Sequence, residues 1–175
     1  MYKIGSIGEG FVAIMARPSL EVDAVASIIN IARLGIQQVV SLLEPGEARN
    51  LGLGGEREQV KAHAMGFISF PVPDMGLPPS VEAFAQLSQK LCGQVNAGVN
   101  TLIHCQAGIG RSGLLVAGIL LHCDMDPQQA FAYASRMRGI RVPETPEQEQ
   151  WLIANYASIV EIDSDQQRSD SETGV

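Results

Sequence analysis

The stretch Thr101–Leu121 reads TLIHCQAGIGRSGLLVAGILL, and its three parts decide the architecture. Thr101 to His104 is a brief apolar run with the character of a buried strand. Gly110 to His122 is apolar on nearly every face, which predicts a helix in the middle of the domain rather than on its surface. The loop between them carries a cysteine at its start and an arginine at its end. Ala107, Gly108 and Gly110 are small enough for the backbone to curl tightly, so that several N–H groups can point into one bowl. That bowl leads into a helix N-terminus, where unpaired N–H groups and the helix dipole favour an anion. Arg111 adds a planar, two-pronged contact for phosphate oxygens. Cys105 sits at the bottom of this field, which favours its thiolate, and Ser112 can offer a hydroxyl to the sulfur.

Outward from this segment, short strands alternate with helices. Lys3 to Met15 reads as short strands with a glycine turn, and Pro18-Ser19 opens a helix that Gly35 caps. Gln38 to Leu43 is a strand ended by Glu44-Pro45-Gly46. A polar helix runs from about Glu56 to Met65, a strand from Phe67 to Val72, and a helix from Pro78 to about Asn96. Asp126-Pro127 and Thr145-Pro146 each pair an N-cap with proline at the first helical position, predicting helices to about Met137 and Val160. The pattern predicts a single α/β domain over residues 1–162, with a twisted, mostly parallel central sheet flanked by helices. The tail 163–175 is polar and expected to be disordered. Ligands bind at the carboxyl ends of such strands, which directs attention to the loops after Leu43, Val72 and His104.

The bulk properties fit this reading. At 175 residues, 46% apolar and 18% charged, the chain suits one compact domain. A formal charge of −7 argues against nucleic acid as a partner. Three cysteines, Cys92, Cys105 and Cys123, form no disulfide framework and fit a reducing compartment. The N-terminus has no basic-then-apolar signal pattern, and the longest apolar run is far too short for a bilayer. A cytoplasmic protein without membrane contact is expected, with a monomer as the working state.

His104-Cys105-x-x-Gly108-x-x-Arg111-Ser112-Gly113 resembles the signature loop of the protein tyrosine phosphatase superfamily. Pro71-Val72-Pro73-Asp74 resembles that family's mobile general-acid loop. Thr145-Pro146-Glu147-Gln148 resembles the later segment whose glutamine positions the hydrolytic water. Order and separations match from about Phe67 to Tyr156, in the manner of the small dual-specificity-like, kinase-associated and prokaryotic members. The resemblance implies the cysteine-phosphatase fold and a reaction without metal or organic cofactor. Cys105 is then the nucleophile and Asp74 the acid and base. Arg111 and the amides of Gln106, Ala107, Gly108, Ile109 and Gly110 bind the phosphate. Ser112 assists the sulfur as leaving group, His104 fixes the loop, and Gln148 orients water. The implied partner is a phosphorylated protein or peptide, phosphotyrosine first and phosphoserine or phosphothreonine accepted. The signature loop here lacks the lysine of lipid-directed relatives, which disfavours inositol lipids.

Other readings compete. The same chemistry on a non-protein phosphate ester, or capture of phosphopeptides without turnover, would use the same loop. Asp74 alone would be an ordinary turn residue. Gln150 rivals Gln148, although spacing from Thr145 favours Gln148. Cys92 and Cys123 read as buried helix cysteines, and Arg136, Arg138 and Arg141 as solvated surface charge. Gly108 to Gly113 also fits G-x-G-x-x-G, but no second strand follows the helix to carry a ribose-binding acid, and the lysine of a nucleotide P-loop is absent. The adjacent His-Cys pairs, 104–105 and 122–123, lack metal-ligand separation.

Overall fold

A computed structural model describes residues 1–18 and 24–161. The opening of the first helix at Ser19 and the polar tail 163–175 therefore lie outside the described residues.

The central element is β5 (Thr101–Cys105), all five of whose residues are buried. It pairs in parallel with β2 (Gly10–Ala16) on one side and β3 (Gln38–Ser41) on the other. β4 (Gly66–Ser69) adds in parallel to β3, and β1 (Tyr2–Ile7) adds antiparallel to β2, giving the order β1-β2-β5-β3-β4. The sheet is thus mostly parallel, with one antiparallel hairpin at its edge, as expected of an α/β domain.

Side chains alternate across this sheet with period two and feed two cores. Val12, Ile14, Val40, Ile103 and Cys105 face the larger core, shared with α4 (Val81–Asn96), α5 (Gly110–Leu121) and α6 (Pro127–Arg138). α7 (Pro146–Ala154) closes that side, where Trp151 meets Phe84 edge-on with ring centroids 5.1 Å apart. Ala13, Val39 and Leu102 face the smaller core with α1 (Ala24–Arg33) and α3 (Glu56–Ala62).

All twelve residues of α5 are buried, so the helix is apolar all round because helices and sheet surround it. Its packing on α4 is close: a Cβ on Gly118 would lie 2.5 Å from the Phe84 ring. The predicted strands at Gln38–Leu43 and Phe67–Val72 stop earlier, at Ser41 and Ser69, where the chain leaves the sheet for the site. The last helix is interrupted at Asn155 and resumes as a further helical stretch over 156–161.

One helix was not anticipated. Glu44-Pro45-Gly46, read as the end of the preceding strand, lies three residues beyond β3 and starts α2 (Pro45–Asn50), with proline at the first helical position and Glu47 accepting from the Glu44 N–H at 3.3 Å. The glycine beside the proline disguises the start. Among the described residues no helix is long and apolar enough to cross a membrane.

Candidate active site

The loops after β3, β4 and β5 meet at the carboxyl edge of the sheet, where β5 delivers Cys105 and α5 delivers Arg111. The loop between them folds back over the sulfur, and the Gly108 N–H donates to Cys105 Sγ at 3.3 Å. Gly108 holds φ +67, and a Cβ there would lie 2.4 Å from the Met15 carbonyl oxygen, so only glycine fits between this loop and β2. The Arg17 N–H donates to the Gln106 carbonyl at 3.1 Å, fastening the other side of the loop. Arg138 Nε donates to the Gly108 carbonyl at 2.9 Å, drawing that oxygen outward while the amide faces the sulfur. Arg138 is buried and its guanidinium lies 3.9 Å over the Tyr2 ring. The expectation that Arg138 is solvated surface charge is therefore wrong: it is a brace of the loop. Arg141, in contrast, makes an exposed pair with Glu149 at 2.7 Å.

Arg111 is buried and nearly saturated. Nη1 donates to Glu47 Oε2 at 2.7 Å and to the Val72 carbonyl at 3.1 Å. Nη2 donates to Glu47 Oε1 at 2.9 Å and to Asp74 Oδ1 at 2.8 Å. The Glu47 contact is a two-pronged ion pair, the geometry that fixes a guanidinium plane. Burial works against the charge of Arg111, but Glu47 foremost, then Cys105 and Asp74, outweigh it and raise its pKa. Reciprocally, the hydrogen bond from Arg111 holds the Glu47 carboxyl below its ordinary value of 4.5. Glu47 is the main functional residue missed in the sequence. The Pro45 start of α2 was a signal for the helix, but nothing local signals a partner 64 positions away.

Asp74 stands in a turn closed by Gly76 N–H to the Pro73 carbonyl at 2.9 Å, with Met75 at φ +54. Its side chain is 57% exposed, so it can swing between Arg111 and a ligand. Gln148 is fully buried, while Gln150 is exposed. The Gln148 side chain donates to the Gly76 carbonyl at 3.0 Å, its Oε1 accepts from Thr145 N–H at 3.4 Å, and a Cβ on Gly110 would lie 3.1 Å from that oxygen. Gln148 thus links the Asp74 turn, the signature loop and the start of α7.

Neither the His104 ring nor the Ser112 hydroxyl hydrogen-bonds to the loop or the sulfur. The His104 ring does not bond to the loop; its Nε2 lies 2.8 Å from Glu56 Oε1 on α3, off the axis of a formed hydrogen bond, with both groups buried. Ser112 is buried, and its hydroxyl makes no hydrogen bond among the described residues, so the sulfur's donor here is Gly108 and not Ser112. Cys92 and Cys123, read as buried, are both half-buried. Among the described residues no group of three histidine, cysteine or acidic side chains is placed to hold a metal.

A cavity of about 370 Å³ opens over this constellation, lined by Cys105, Gln106, Ala107, Arg111, Asp74, Met75, Arg17 and Glu144. A thiol, a guanidinium and a carboxylate face one space, an arrangement that could serve in-line displacement at a tetrahedral anion.

Comparison with known proteins agrees with this geometry. The family described as the Swiss Army Knife protein, DSP-PTPase phosphatase domain, matches residues 3–161. The chain is 27% identical over 114 residues to the phosphatidylglycerophosphate phosphatase PTPMT1 of Arabidopsis thaliana, covering 65% of this chain and 32% of that protein. It is 28% identical over 120 residues to cyclin-dependent kinase inhibitor 3 of Rattus norvegicus, covering 67% of this chain and 56% of the relative. The match thus spans between a third and somewhat over half the length of these relatives. Among solved structures, kinase associated phosphatase with its catalytic cysteine replaced by serine aligns at TM-score 0.74 and 19% identity, covering 85% of each chain. A structure of PTPMT1 aligns at TM-score 0.74 and 19% identity, covering 94% of this chain and 99% of that one. At such identity these two share the fold. Tk-PTP in its active form aligns at TM-score 0.67 and 26% identity, covering 85% of this chain and 90% of that one.

Proposed function

The chain belongs to the DSP-PTPase phosphatase family, and from that premise we propose that it hydrolyses phosphate monoesters on proteins through a cysteinyl-phosphate, taking phosphotyrosine first and accepting phosphoserine and phosphothreonine. The observation that carries the reading is the convergence of Cys105, Arg111 and Asp74 on one cavity, with the Gly108 amide on the sulfur.

The chemistry follows from the donors. Four terminal N–H bonds of Arg111 go to Glu47, Val72 and Asp74. An incoming phosphate displaces the exposed Asp74 and takes the Nη2–H it vacates together with Nε–H, while Glu47 keeps the plane fixed. The Cys105 thiolate attacks phosphorus, the ester P–O bond breaks, and Asp74, released and protonated, gives its proton to the departing oxygen. The Arg111 guanidinium and the loop amides stabilise charge on the transferring group. Water then attacks the cysteinyl-phosphate with Asp74 taking its proton, the S–P bond breaks, and Ser112 can donate to the sulfur as it leaves. Gln148 keeps the Asp74 turn in register with the loop, and its remaining amide N–H is the group that would orient the water. A thiolate nucleophile needs reducing surroundings, which supports a cytoplasmic setting.

The likeness to a protein named for phosphatidylglycerophosphate favours a second reading, the same chemistry on a phospholipid headgroup. Gln106, Ala107 and Ile109 offer no side-chain cation for additional phosphates, which supports the protein reading. Steady-state hydrolysis of phosphotyrosine, phosphoserine and phosphothreonine peptides beside phosphatidylglycerophosphate vesicles tests this directly. Peptide turnover that vanishes in Cys105→Ser is the expected result. Turnover confined to the vesicles would transfer the proposal to the lipid, and vanadate binding without any turnover would reduce the protein to a phosphate-binding module.

A further inference from the structure

A second thiol site lies at the opposite end of α5 from the catalytic loop. Cys92, in the last turns of α4, and Cys123, two residues beyond α5, bring their sulfurs to 3.7 Å. This is thiol contact, not a disulfide, whose S–S bond is about 2.05 Å. The backbone around both is well tied. The Cys123 N–H donates to the Leu120 carbonyl at 2.9 Å, and the two sulfurs lie 3.8 Å from the Ile119 and His122 carbonyls. His122 Nε2 in turn is 3.1 Å from Ser88 Oγ of α4, so a second contact bridges the same two elements. Both cysteines line an open cleft of about 710 Å³ with Gln89, Asn96 and His122, through which a small oxidant can reach them.

We propose that Cys92 and Cys123 form a redox-active dithiol site, separate from Cys105, which a two-electron oxidant such as hydrogen peroxide closes into an intramolecular disulfide joining α4 to the end of α5. The contact with Cys92 lowers the Cys123 pKa against the opposing effects of burial and Asp124, and in the proposed sequence Cys123 attacks first. Its thiolate attacks one peroxide oxygen, the O–O bond breaks, and the leaving hydroxide takes a proton to become water. Cys92 then loses its proton and attacks the sulfenic sulfur; the S–S bond forms, the S–O bond breaks, and the second hydroxide leaves as water. Two thiols are oxidised by two electrons and one peroxide is reduced.

Neither cysteine can serve Cys105 in this way. The twelve residues of α5 separate the two ends by about 18 Å at 1.5 Å per residue, well beyond the roughly 7 Å Cα separation a disulfide allows. The site rests on its own geometry, so it stands or falls independently of the phosphatase reading.

The test uses the full chain carrying Cys105→Ser, so that the catalytic thiol does not contribute. After peroxide treatment and alkylation, the expected result is loss of two thiols per chain, a Cys92–Cys123 linked peptide, a monomer on non-reducing gels, and a Tm raised by several degrees that dithiothreitol reverses. Adding Cys92→Ser should abolish both the linked peptide and the Tm rise. The proposal is overturned if both cysteines remain alkylatable at a peroxide dose that oxidises Cys105 in the unmodified protein. It is equally overturned if only intermolecular links form, or if Cys123 passes to sulfinic acid without bonding Cys92.

Discussion

Arg111 shows how much of the site depends on one side chain being fixed before a ligand arrives. Its guanidinium is buried, braced by Glu47 on one edge and occupied by Asp74 on the other. Glu47→Gln removes the charge of the brace while keeping its shape. The expected loss is about 2–3 kcal/mol of stability, the scale of a hydrogen bond to a charged group, measured by urea unfolding near pH 7. A fall in kcat/KM of about tenfold or more should accompany it, because the unbraced guanidinium no longer presents one plane to the phosphate. The pH dependence has a definite sign. Glu47 has its folded-state pKa depressed below 4.5, so its contribution is fully present above that value and is lost as pH falls through the lower folded-state pKa. Below pH 4.5 the wild type should therefore lose stability more steeply than Glu47→Gln; parallel curves would show that the pair adds nothing. At Asp74, Asn cannot protonate the leaving oxygen, and turnover of a phosphotyrosine peptide should fall by about 10²–10⁴-fold. The folded fraction, read by circular dichroism, should be unchanged, since Asp74 is mostly exposed.

At the scale of elements, the legible parts were those with a dense local signal. The β5–loop–α5 unit could be read because a fully buried helix leaves an unbroken apolar run and a phosphate cradle needs small residues between cysteine and arginine. The helices at Asp126 and Thr145 could be read because their capping chemistry lies within four residues, as the observed Gln129 and Gln148 capping contacts bear out. The α2 helix was hidden by Pro45-Gly46, a pair that also signals a turn. The partners that α2, α3 and α6 supply (Glu47, Glu56 and Arg138) were hidden because each meets the signature loop or its flanks only through the tertiary fold. Close packing between elements was likewise invisible: Gly118 looks like any helix glycine until Phe84 is found against it. Gly118→Leu should cost about 1–3 kcal/mol by overpacking the α4–α5 contact. Thermal melts would show the loss, while kcat of the folded enzyme at low temperature should stay near wild type. A variant melting like wild type would mean that Phe84 yields without strain.

For the whole molecule, one α/β layer structure brings three strand ends to a single edge, and the chemistry is distributed over the loops gathered there. The chain carries a formal net charge of −7, while the cavity presents the Arg111 cation. For an acidic phosphopeptide, KM should therefore fall as salt is raised from low ionic strength, because screening removes surface repulsion faster than it weakens the enclosed Arg111 contact. A KM that only rises with salt would place a locally positive rim around the cavity. In the proposed reaction Cys105 carries the phosphoryl group between the two chemical steps. The most direct measurement is rapid quenching of Gln148→Ala during turnover of a phosphotyrosine peptide, followed by mass analysis of the denatured chain. The expected result is the mass of one phosphoryl group on the peptide bearing Cys105, and no such mass in Cys105→Ser. Continued hydrolysis in Cys105→Ser, or phosphate found on any other residue, would contradict it.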